Sequence, residues 1–272
     1  MRLGGSVPKP YTTAEDWAAD AKALGYATCT CPLPRHATEA EAEHLRQVAA
    51  AVDITLAEVG VWRNTLDTDD VKRRDNIAFA QEQLALAERL GANCCVNISG
   101  ARGEQWDGWY VDNYAADTYA LIVETTRAII DAVKPTRTFF TIEPMPWMTP
   151  DSPEAYLQLI RDVDRPAFAV HMDFVNMINT PERFVLADRF IEHAFTSLAP
   201  YIKSVHIKDV SMDRAAMPVV LRECAPGKGM LQFRHVLDVI RRTLPQEMPV
   251  LLEHMQTMEE YAEARRYVAS LL

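Results

Sequence analysis

Short apolar runs alternate with long amphipathic segments along the chain, and this alternation limits the choice of fold most strongly. The runs are rich in Val, Ile, Leu and Ala, as expected of strands buried on both faces of a parallel sheet. Because parallel strands need right-handed helical crossovers, eight such alternations predict a (β/α)₈ barrel, an α/β fold. The predicted strands are Arg2–Gly5, Tyr26–Cys31, Thr55–Gly60, Ala92–Ile98, Thr138–Glu143, Phe168–Asp173, Ser204–Lys208 and Val250–Glu253.

The intervening segments carry signals that begin and end helices. Residues 69–90 repeat apolar side chains at helical spacing, and Gly91 follows where a left-handed residue would end the helix. Thr257 and Glu260 have the spacing of a capping box, which predicts a helix beginning after Thr257. The rival architecture is an open doubly wound sheet, but Gly4-Gly5-Ser6 after the first strand lacks the glycine spacing of a phosphate-binding turn.

Length and charge narrow the classes of function. The chain has 272 residues, which suits one α/β domain, so residues 1–272 are predicted to form a single barrel. The formal net charge of −10 opposes binding to nucleic acid. Neither a membrane span nor a signal peptide is expected, which favours a cytoplasmic protein. The five cysteines are odd in number and lie in strand-like settings, which argues against a disulfide framework.

Four apolar runs end in a side chain that can bind a metal. Glu143, Asp173, His206 and Glu253 follow one another at intervals of 30, 33 and 47 residues, about one strand and helix each. In a closed barrel of parallel strands all four would lie at one mouth. Buried charges need partners, so the rival explanation is a set of structural ion pairs. Three carboxylates and an imidazole predict a divalent metal site, with Mn²⁺ favoured and Mg²⁺, Co²⁺ or Zn²⁺ as alternatives.

The two glutamates at this site suggest the chemistry. Glu143 and Glu253 would flank a bound hydroxy-ketone, where one carboxylate removes the proton next to the carbonyl and the other returns a proton. A cation there would stabilise the enediolate formed between the two steps. The sequence therefore predicts isomerisation or epimerisation of a small keto-sugar or sugar acid.

The motifs around these residues resemble those of the xylose isomerase-like barrel superfamily. They are Ile142-Glu143-Pro144, Asp173, Val205-His206-Ile207-Lys208-Asp209, Pro226-Gly227-Lys228-Gly229 and Leu252-Glu253. That group includes ketose 3-epimerases, hydroxypyruvate isomerases, inosose dehydratases and related sugar lyases. The resemblance implies that the same four residues are metal ligands and that Glu143 and Glu253 are the acid–base pair.

Three residues depart from the ketose 3-epimerase pattern or add to it. Asn176 stands where those epimerases carry a histidine that helps to hold substrate. His171 shares strand parity with Asp173, so it would point into the barrel as a catalytic base or as a partner of a ligand carboxylate. Lys208 would bind substrate or pair with a ligand acid. These residues keep a lyase reaction, by decarboxylation or β-elimination at the same site, as the alternative function.

Polar and aromatic residues in predicted loops would complete a sugar pocket. Sugar sites combine flat aromatic faces with groups that bind hydroxyls. The residues predicted to bind substrate are Trp62, Asn64, Trp106, Trp147, Asn176 and Lys208. A phosphate site at Gly227-Lys228-Gly229 is the weaker alternative. The expected partner is a small sugar or sugar acid, without nucleic acid or membrane, in a homodimer or homotetramer.

A repair nuclease and a catalytically silent binding subunit are the remaining classes. A nuclease would need more histidines and a basic face, whereas the chain has seven histidines and is acidic. The presence of all four predicted metal ligands argues against a catalytically silent subunit.

Overall fold

A computed structural model describes residues 1–34 and 36–272 of the chain. Within this part, the strands are β1 (Arg2–Gly5), β2 (Thr28–Thr30), β3 (Thr55–Gly60), β4 (Cys94–Asn97), β5 (Phe140–Ile142), β6 (Phe168–Asp173), β7 (Ile202–Ile207), β8 (Asp209–Met212), β9 (Leu221–Cys224) and β10 (Pro249–Leu252). The helices are α1 (Ala14–Ala23), α2 (Glu39–Ala51), α3 (Asp70–Leu90), α4 (Ala116–Val133), α5 (Pro153–Val163), α6 (Pro181–Val185), α7 (Ala187–Leu198), α8 (Phe233–Thr243) and α9 (Met258–Ala269), with a 3₁₀ turn at Val111–Tyr114.

Eight of the described strands are parallel and close into a barrel, in the order β1-β10-β7-β6-β5-β4-β3-β2. Every residue of β4 and of β6 is buried, because one face of each strand fills the barrel interior and the other packs on the helices. The predicted (β/α)₈ barrel is confirmed. All eight predicted strands exist, and three of them, β2, β4 and β5, are shorter than the apolar runs that predicted them.

The helix signals in the sequence are confirmed at both positions. Gly91 adopts the left-handed conformation, with φ of 66°, and ends α3. The Thr257 side chain accepts from the backbone N–H of Glu260 and the Glu260 side chain accepts in return, so α9 begins with a capping box. None of the helices that the structure describes has both the length and the apolar composition needed to cross a membrane.

The segment after β7 is not a single loop. The chain instead folds into an antiparallel hairpin in which Asp209 of β8 pairs with Cys224 of β9. The Asp209 carboxylate then accepts the backbone N–H groups of Gly227, Gly229 and Leu231. This carboxylate holds the glycine loop that leads to α8, and the hairpin stands over the mouth of the barrel.

Candidate active site

Four side chains with oxygen or nitrogen ligand atoms meet at the carboxyl end of the barrel. Glu143 directly follows β5, Asp173 ends β6, His206 lies near the end of β7, and Glu253 directly follows β10. These strands are consecutive around the barrel, so their carboxyl ends are neighbours. One ligand atom from each residue lies within 4.8 Å of the other three. The structure therefore brings together the four residues that the sequence selects as metal ligands.

The atoms that face this space suit a divalent cation. His206 Nδ1 lies 3.1 Å from Glu253 Oε1 and 3.6 Å from Glu143 Oε2. Among the described residues, Glu143 Oε2, Asp173 Oδ2 and His206 Nδ1 are buried without a well-directed hydrogen bond, which is unusual for buried polar atoms. Three carboxylates and one imidazole form a donor set that fits Mn²⁺, Mg²⁺ or a similar ion.

Without a metal, the two glutamates differ in their affinity for a proton. Burial raises the pKa of Glu143 well above its usual range, and the charge of Glu253 adds to this effect. Burial also acts against ionisation of Glu253, but the positive charges of His206 and Lys208 outweigh it and hold the pKa of Glu253 well below its usual range. One carboxyl thus favours the protonated form while its neighbour favours the ionised form.

Lys208 lies immediately beside the four residues. Its Nζ is 2.7 Å from Asp173 Oδ2, 2.8 Å from Glu253 Oε2 and 3.0 Å from Glu223 Oε2, and its side chain is 1% exposed. Burial by itself would lower the pKa of Lys208, but the surrounding carboxylates, with Asp173 and Glu253 foremost, raise it well above its usual range. The predicted pairing of Lys208 with a ligand acid is confirmed. Its role in substrate binding stays a prediction.

A second polar layer lies deeper in the barrel. Glu58 of β3 approaches His206 Nε2 to 3.1 Å and His171 Nδ1 to 3.3 Å. The Ser204 hydroxyl lies 2.6 Å from His171 Nδ1. Burial, assisted by the charge of His206, lowers the pKa of His171 to about 3, so its imidazole is neutral. His171 Nε2 is 3.5 Å from Glu143 Oε2. His171 points into the barrel as the strand parity predicted, and its catalytic role stays a prediction.

The four candidate ligands at the carboxyl ends of the strands are called the rim residues below. Asn176 links two of them. Its side-chain amide donates to Glu143 Oε1 at 3.0 Å, and its backbone N–H donates to Asp173 Oδ1 at 3.0 Å. Both carboxylates are thereby oriented so that their other oxygens face the space beside His206. Asn176 also borders the cavity above the rim, where its predicted contact with substrate would be made.

A cavity of about 1140 Å³ opens above the four residues. Of the residues predicted to bind substrate, Trp62, Trp106, Trp147 and Asn176 line it, whereas Asn64 and Lys208 are not among its described lining residues. The Asn64 amide instead donates to the carbonyl of Ala101 at 2.8 Å, which ties together the loops after β3 and β4. These contacts place three aromatic rings and one amide around the proposed sugar site.

Sequence reasoning missed three titratable residues around the site: Glu58, Glu223 and His254. Glu58 is an acidic residue near the end of a buried apolar strand, which is the signal that selected Glu143. A strand that continued through His254 would point this side chain outward, towards the helix layer, but the structure does not place it there. The barrel strand ends at Leu252 and His254 has a φ of 60°, so strand alternation no longer applies. Its ring lies 2.6 Å from Glu223 Oε1 and 3.1 Å from Glu253 Oε1.

The glycine loop after β9 does not present the donors of a phosphate site. The backbone N–H groups of Gly227 and Gly229 donate to Asp209 Oδ2 at 3.1 and 3.0 Å. The Lys228 ammonium, directed elsewhere, pairs with Glu263 at 2.6 Å. The anion that this loop binds is therefore a carboxylate of the chain itself.

The protein is a (β/α)₈ barrel, and its candidate site of three carboxylates and one imidazole lies at the carboxyl ends of the strands. The active sites of such barrels lie at this end. Residues 18–271 match the model of the xylose isomerase-like TIM barrel family, and the chain belongs to that family. The resemblance drawn from the sequence motifs is confirmed. No curated protein matches the chain by sequence.

Solved structures share the fold at low sequence identity. A D-psicose 3-epimerase from Clostridium cellulolyticum H10, solved with D-tagatose, has a TM-score of 0.72 at 14% identity, covering 100% of this chain and 99% of its own. A xylose isomerase-like TIM barrel protein from Mycobacterium smegmatis, solved with magnesium, has a TM-score of 0.71 at 17% identity, covering 99% and 96%. A probable 3-DHS dehydratase from Bacillus anthracis has a TM-score of 0.70 at 14% identity, covering 99% and 99%. At these sequence identities, the similarity shows that this chain shares its fold with the solved structures.

Proposed function

We propose that the protein is a divalent-metal-dependent isomerase or epimerase of a small keto-sugar. One observation carries the proposal: Glu143 and Glu253 flank Asp173 and His206 on four consecutive strands, at the floor of a cavity large enough for a sugar. Two carboxylates in this arrangement reach a substrate from two sides. The 3-epimerase among the structural neighbours supports the proposal by likeness.

The residues that would hold the cation are Glu143, Asp173, His206 and Glu253, with Mn²⁺ the favoured ion. When bound there, a divalent ion polarises a carbonyl oxygen and stabilises the negative charge that develops on it. Asn176 holds Glu143 and Asp173 in position. Lys208 balances the negative charge of Asp173 and Glu253 from below the cavity.

The chain's own part in the reaction is proton transfer. One of the two glutamates accepts the proton from the carbon next to the carbonyl, which leaves the substrate as an enediolate. In an epimerisation the other glutamate donates a proton to the opposite face of the same carbon. In an isomerisation it donates a proton to the neighbouring carbon, and a proton also passes from the hydroxyl oxygen to the former carbonyl oxygen. Neutral His171, 3.5 Å from Glu143 Oε2, lies where it can support that carboxyl.

A lyase reaction at the same site is the second candidate function. Asn176 replaces the histidine expected of a 3-epimerase and binds Glu143, so the group that would hold substrate there differs. A probable dehydratase is also among the structural neighbours. An enediolate formed by the same proton removal can expel a β-leaving group instead of being reprotonated.

The test follows protons in D₂O. The Mn²⁺-loaded protein is incubated with keto-sugars and keto-acids and monitored by NMR. Deuterium next to the carbonyl with an intact carbon skeleton supports an isomerase or epimerase, whereas released CO₂ or an eliminated fragment supports a lyase. Glu253→Gln should abolish exchange, with the exposed Glu104→Gln as matched control. Exchange that continues in Glu253→Gln would remove Glu253 from its proposed role.

A further inference from the structure

We propose that the substrate is an uncharged sugar joined to an apolar, flat group, and that the apolar wall of the cavity binds that group. The inference rests on the proposed function in one respect, because it places the sugar ring at the four rim residues. It goes beyond that function by naming the class of substrate. Three features of the cavity carry it: its size, its apolar wall and the charges that line it.

The cavity is larger than a single sugar ring needs. Its volume of about 1140 Å³ exceeds the range of roughly 300–1,000 Å³ that is typical of sites for drug-sized ligands. A monosaccharide bound at Glu143, His206 and Glu253 would leave much of this volume to water. A site that excludes water from a reacting carbonyl needs the remaining space to be filled.

One side of the cavity is a preformed apolar wall. Ile98, Ala101 and Met148 form a small buried cluster apart from the main core, and Trp106, Tyr110, Met145 and Trp147 pack on it. Of these residues, Ile98, Trp106, Met145 and Trp147 line the cavity. A flat apolar group therefore has a built surface to contact, continuous with the floor formed by Glu143.

The wall is held in place by hydrogen bonds. Trp147 Nε1 donates to the carbonyl of Asp107 at 2.8 Å, and Asn113 donates to the carbonyl of Trp147 at 3.4 Å. Asn113 is itself buried and also donates to the carbonyl of Gly108 at 3.0 Å. These contacts lock the loops after β4 and β5 together. A preordered aromatic surface binds a flat ligand with little loss of conformational entropy.

A third aromatic ring completes the apolar surroundings from the side of β3. Trp62 has a φ of 49°, a conformation that a bulky residue adopts at a cost in free energy. Its ring lies over Gly60, where an added Cβ would meet Trp62 Nε1 at 2.1 Å. The ring is thus held at the cavity edge and is 39% exposed. Strain of this kind persists where the surrounding structure enforces it and occurs often at ligand sites.

The charges that line the cavity select against anionic substrates. The ionisable acids among the lining residues are Glu58, Asp107, Glu143, Glu223 and Glu253. Among the residues that the structure describes, no lysine or arginine lines the cavity, and Lys208 is already surrounded by three carboxylates. The positive groups on the lining are the imidazoles of His206 and His254, and both lie beside Glu253 where the cation would be held. Away from that point, the phosphate or carboxylate of a sugar phosphate or sugar acid would meet acidic and apolar side chains without a guanidinium or ammonium partner. The lining therefore favours a neutral keto-sugar over a sugar acid as the substrate.

The experiment measures binding rather than turnover. Phenyl and methyl β-D-glucopyranoside form a matched pair that differs only in the apolar group, and the corresponding galactopyranosides form a second pair. Glucose 6-phosphate is the anionic probe and glucose its neutral control. Affinities are measured by titration calorimetry on the Mn²⁺-loaded protein and after metal removal. In at least one pair we expect the phenyl glycoside to bind at least tenfold more tightly than the methyl glycoside. We also expect glucose 6-phosphate to bind no more tightly than glucose.

Variants locate the binding surface. Trp106→Ala and Trp147→Ala should each reduce the preference for phenyl over methyl at least threefold. Trp109→Ala is the matched control, because Trp109 is 77% exposed and lies outside the cavity lining. Circular dichroism confirms that each variant is folded.

Three results would overturn the inference. The first is equal binding of phenyl and methyl glycosides in both pairs, and the second is tighter binding of glucose 6-phosphate than of glucose. The third is a preference for phenyl over methyl that is unchanged in both Trp106→Ala and Trp147→Ala, which would place the apolar group away from this wall. Deuterium exchange in a simple keto-sugar would still support the proposed function if this inference failed.

Discussion

Glu58 Oε1 lies 3.1 Å from His206 Nε2 and reaches it from the opposite wall of the barrel, since Glu58 is on β3 and His206 is on β7. Burial by itself would raise the pKa of Glu58, but the positive charge of His206 outweighs it and lowers that pKa. Glu58 is therefore an acceptor and His206 Nε2 the donor. The other ring nitrogen, Nδ1, is left to face Glu143 and Glu253.

Removing this contact should weaken metal binding without unfolding the barrel. A carboxylate behind a metal-binding histidine fixes the tautomer and the ring orientation, and its loss typically reduces metal affinity about 10–100-fold. We expect Glu58→Gln to lower Mn²⁺ affinity in this range, measured by calorimetric titration. The exposed Glu104→Gln should bind Mn²⁺ as the wild type does. Unchanged affinity in Glu58→Gln would show that Glu58 does not position His206 for a metal.

The Lys208 ammonium should be replaceable in part by a divalent cation. Breaking a buried ion pair by removing one partner costs about 3–5 kcal/mol, because the remaining charge is unpaired. Lys208→Met should therefore lower the melting temperature strongly in EDTA, and Mn²⁺ should raise it by more than in the wild type. Differential scanning calorimetry with and without Mn²⁺ measures both effects.

Lys203→Met, on the strand β7 that leads to Lys208, is the matched control, because Lys203 contacts only the face of Phe139 among the interactions described, at 4.2 Å. Its Mn²⁺ response should equal that of the wild type. A metal response in Lys208→Met no larger than in Lys203→Met would argue against a cation beside Asp173 and Glu253.

Asp209 should be essential for the loop after β9, whereas Lys228 should not. Asp209→Asn keeps one acceptor oxygen and leaves at least two of the four backbone donors poorly satisfied, at about 1–3 kcal/mol for each. We expect a free energy of unfolding at least about 2 kcal/mol lower in urea titrations. Lys228→Ala removes only an exposed ion pair and should leave stability and turnover unchanged. Loss of turnover in a folded Lys228→Ala would revive the phosphate hypothesis.

Glu88 should stabilise the fold in a pH-dependent way. Burial alone would raise its pKa, but the backbone N–H groups of Arg137, Thr136 and Thr138 donate to it and lower that pKa below the ordinary value of 4.5. Glu88→Gln should cost about 1–2 kcal/mol at pH 7. Since the folded pKa is depressed, this cost is complete above pH 4.5 and disappears as the pH falls through the folded pKa.

Urea titrations from pH 7 to pH 3 measure the difference between wild type and Glu88→Gln. Glu124→Gln, an exposed change on α4, is the control and should show no such trend. A difference between wild type and Glu88→Gln that stays constant with pH would mean that the charge of Glu88 does not contribute to stability.

The local pattern of the chain was sufficient for the barrel and for the residues at its rim. Burial on both faces makes a parallel strand apolar throughout, so an acid or histidine that ends such a run is conspicuous, as Glu143 and Asp173 are. Glu223 could not be found in this way. It comes from a hairpin whose short, half-exposed strands have no apolar run, and its contact with Lys208 spans distant parts of the chain.

The sequence by itself determined the succession of strands and helices, and with it the rim on which the four candidate ligands would lie, because side-chain periodicity and strand direction are local properties. Only the tertiary structure decided which groups surround them: Glu58 behind His206, Lys208 among three carboxylates, and His254, itself in the left-handed conformation, beside Glu253. The size and charge of the cavity were also decided there. These features depend on atoms from opposite walls of the barrel and on hairpin and loop conformations, which no local pattern of residues encodes.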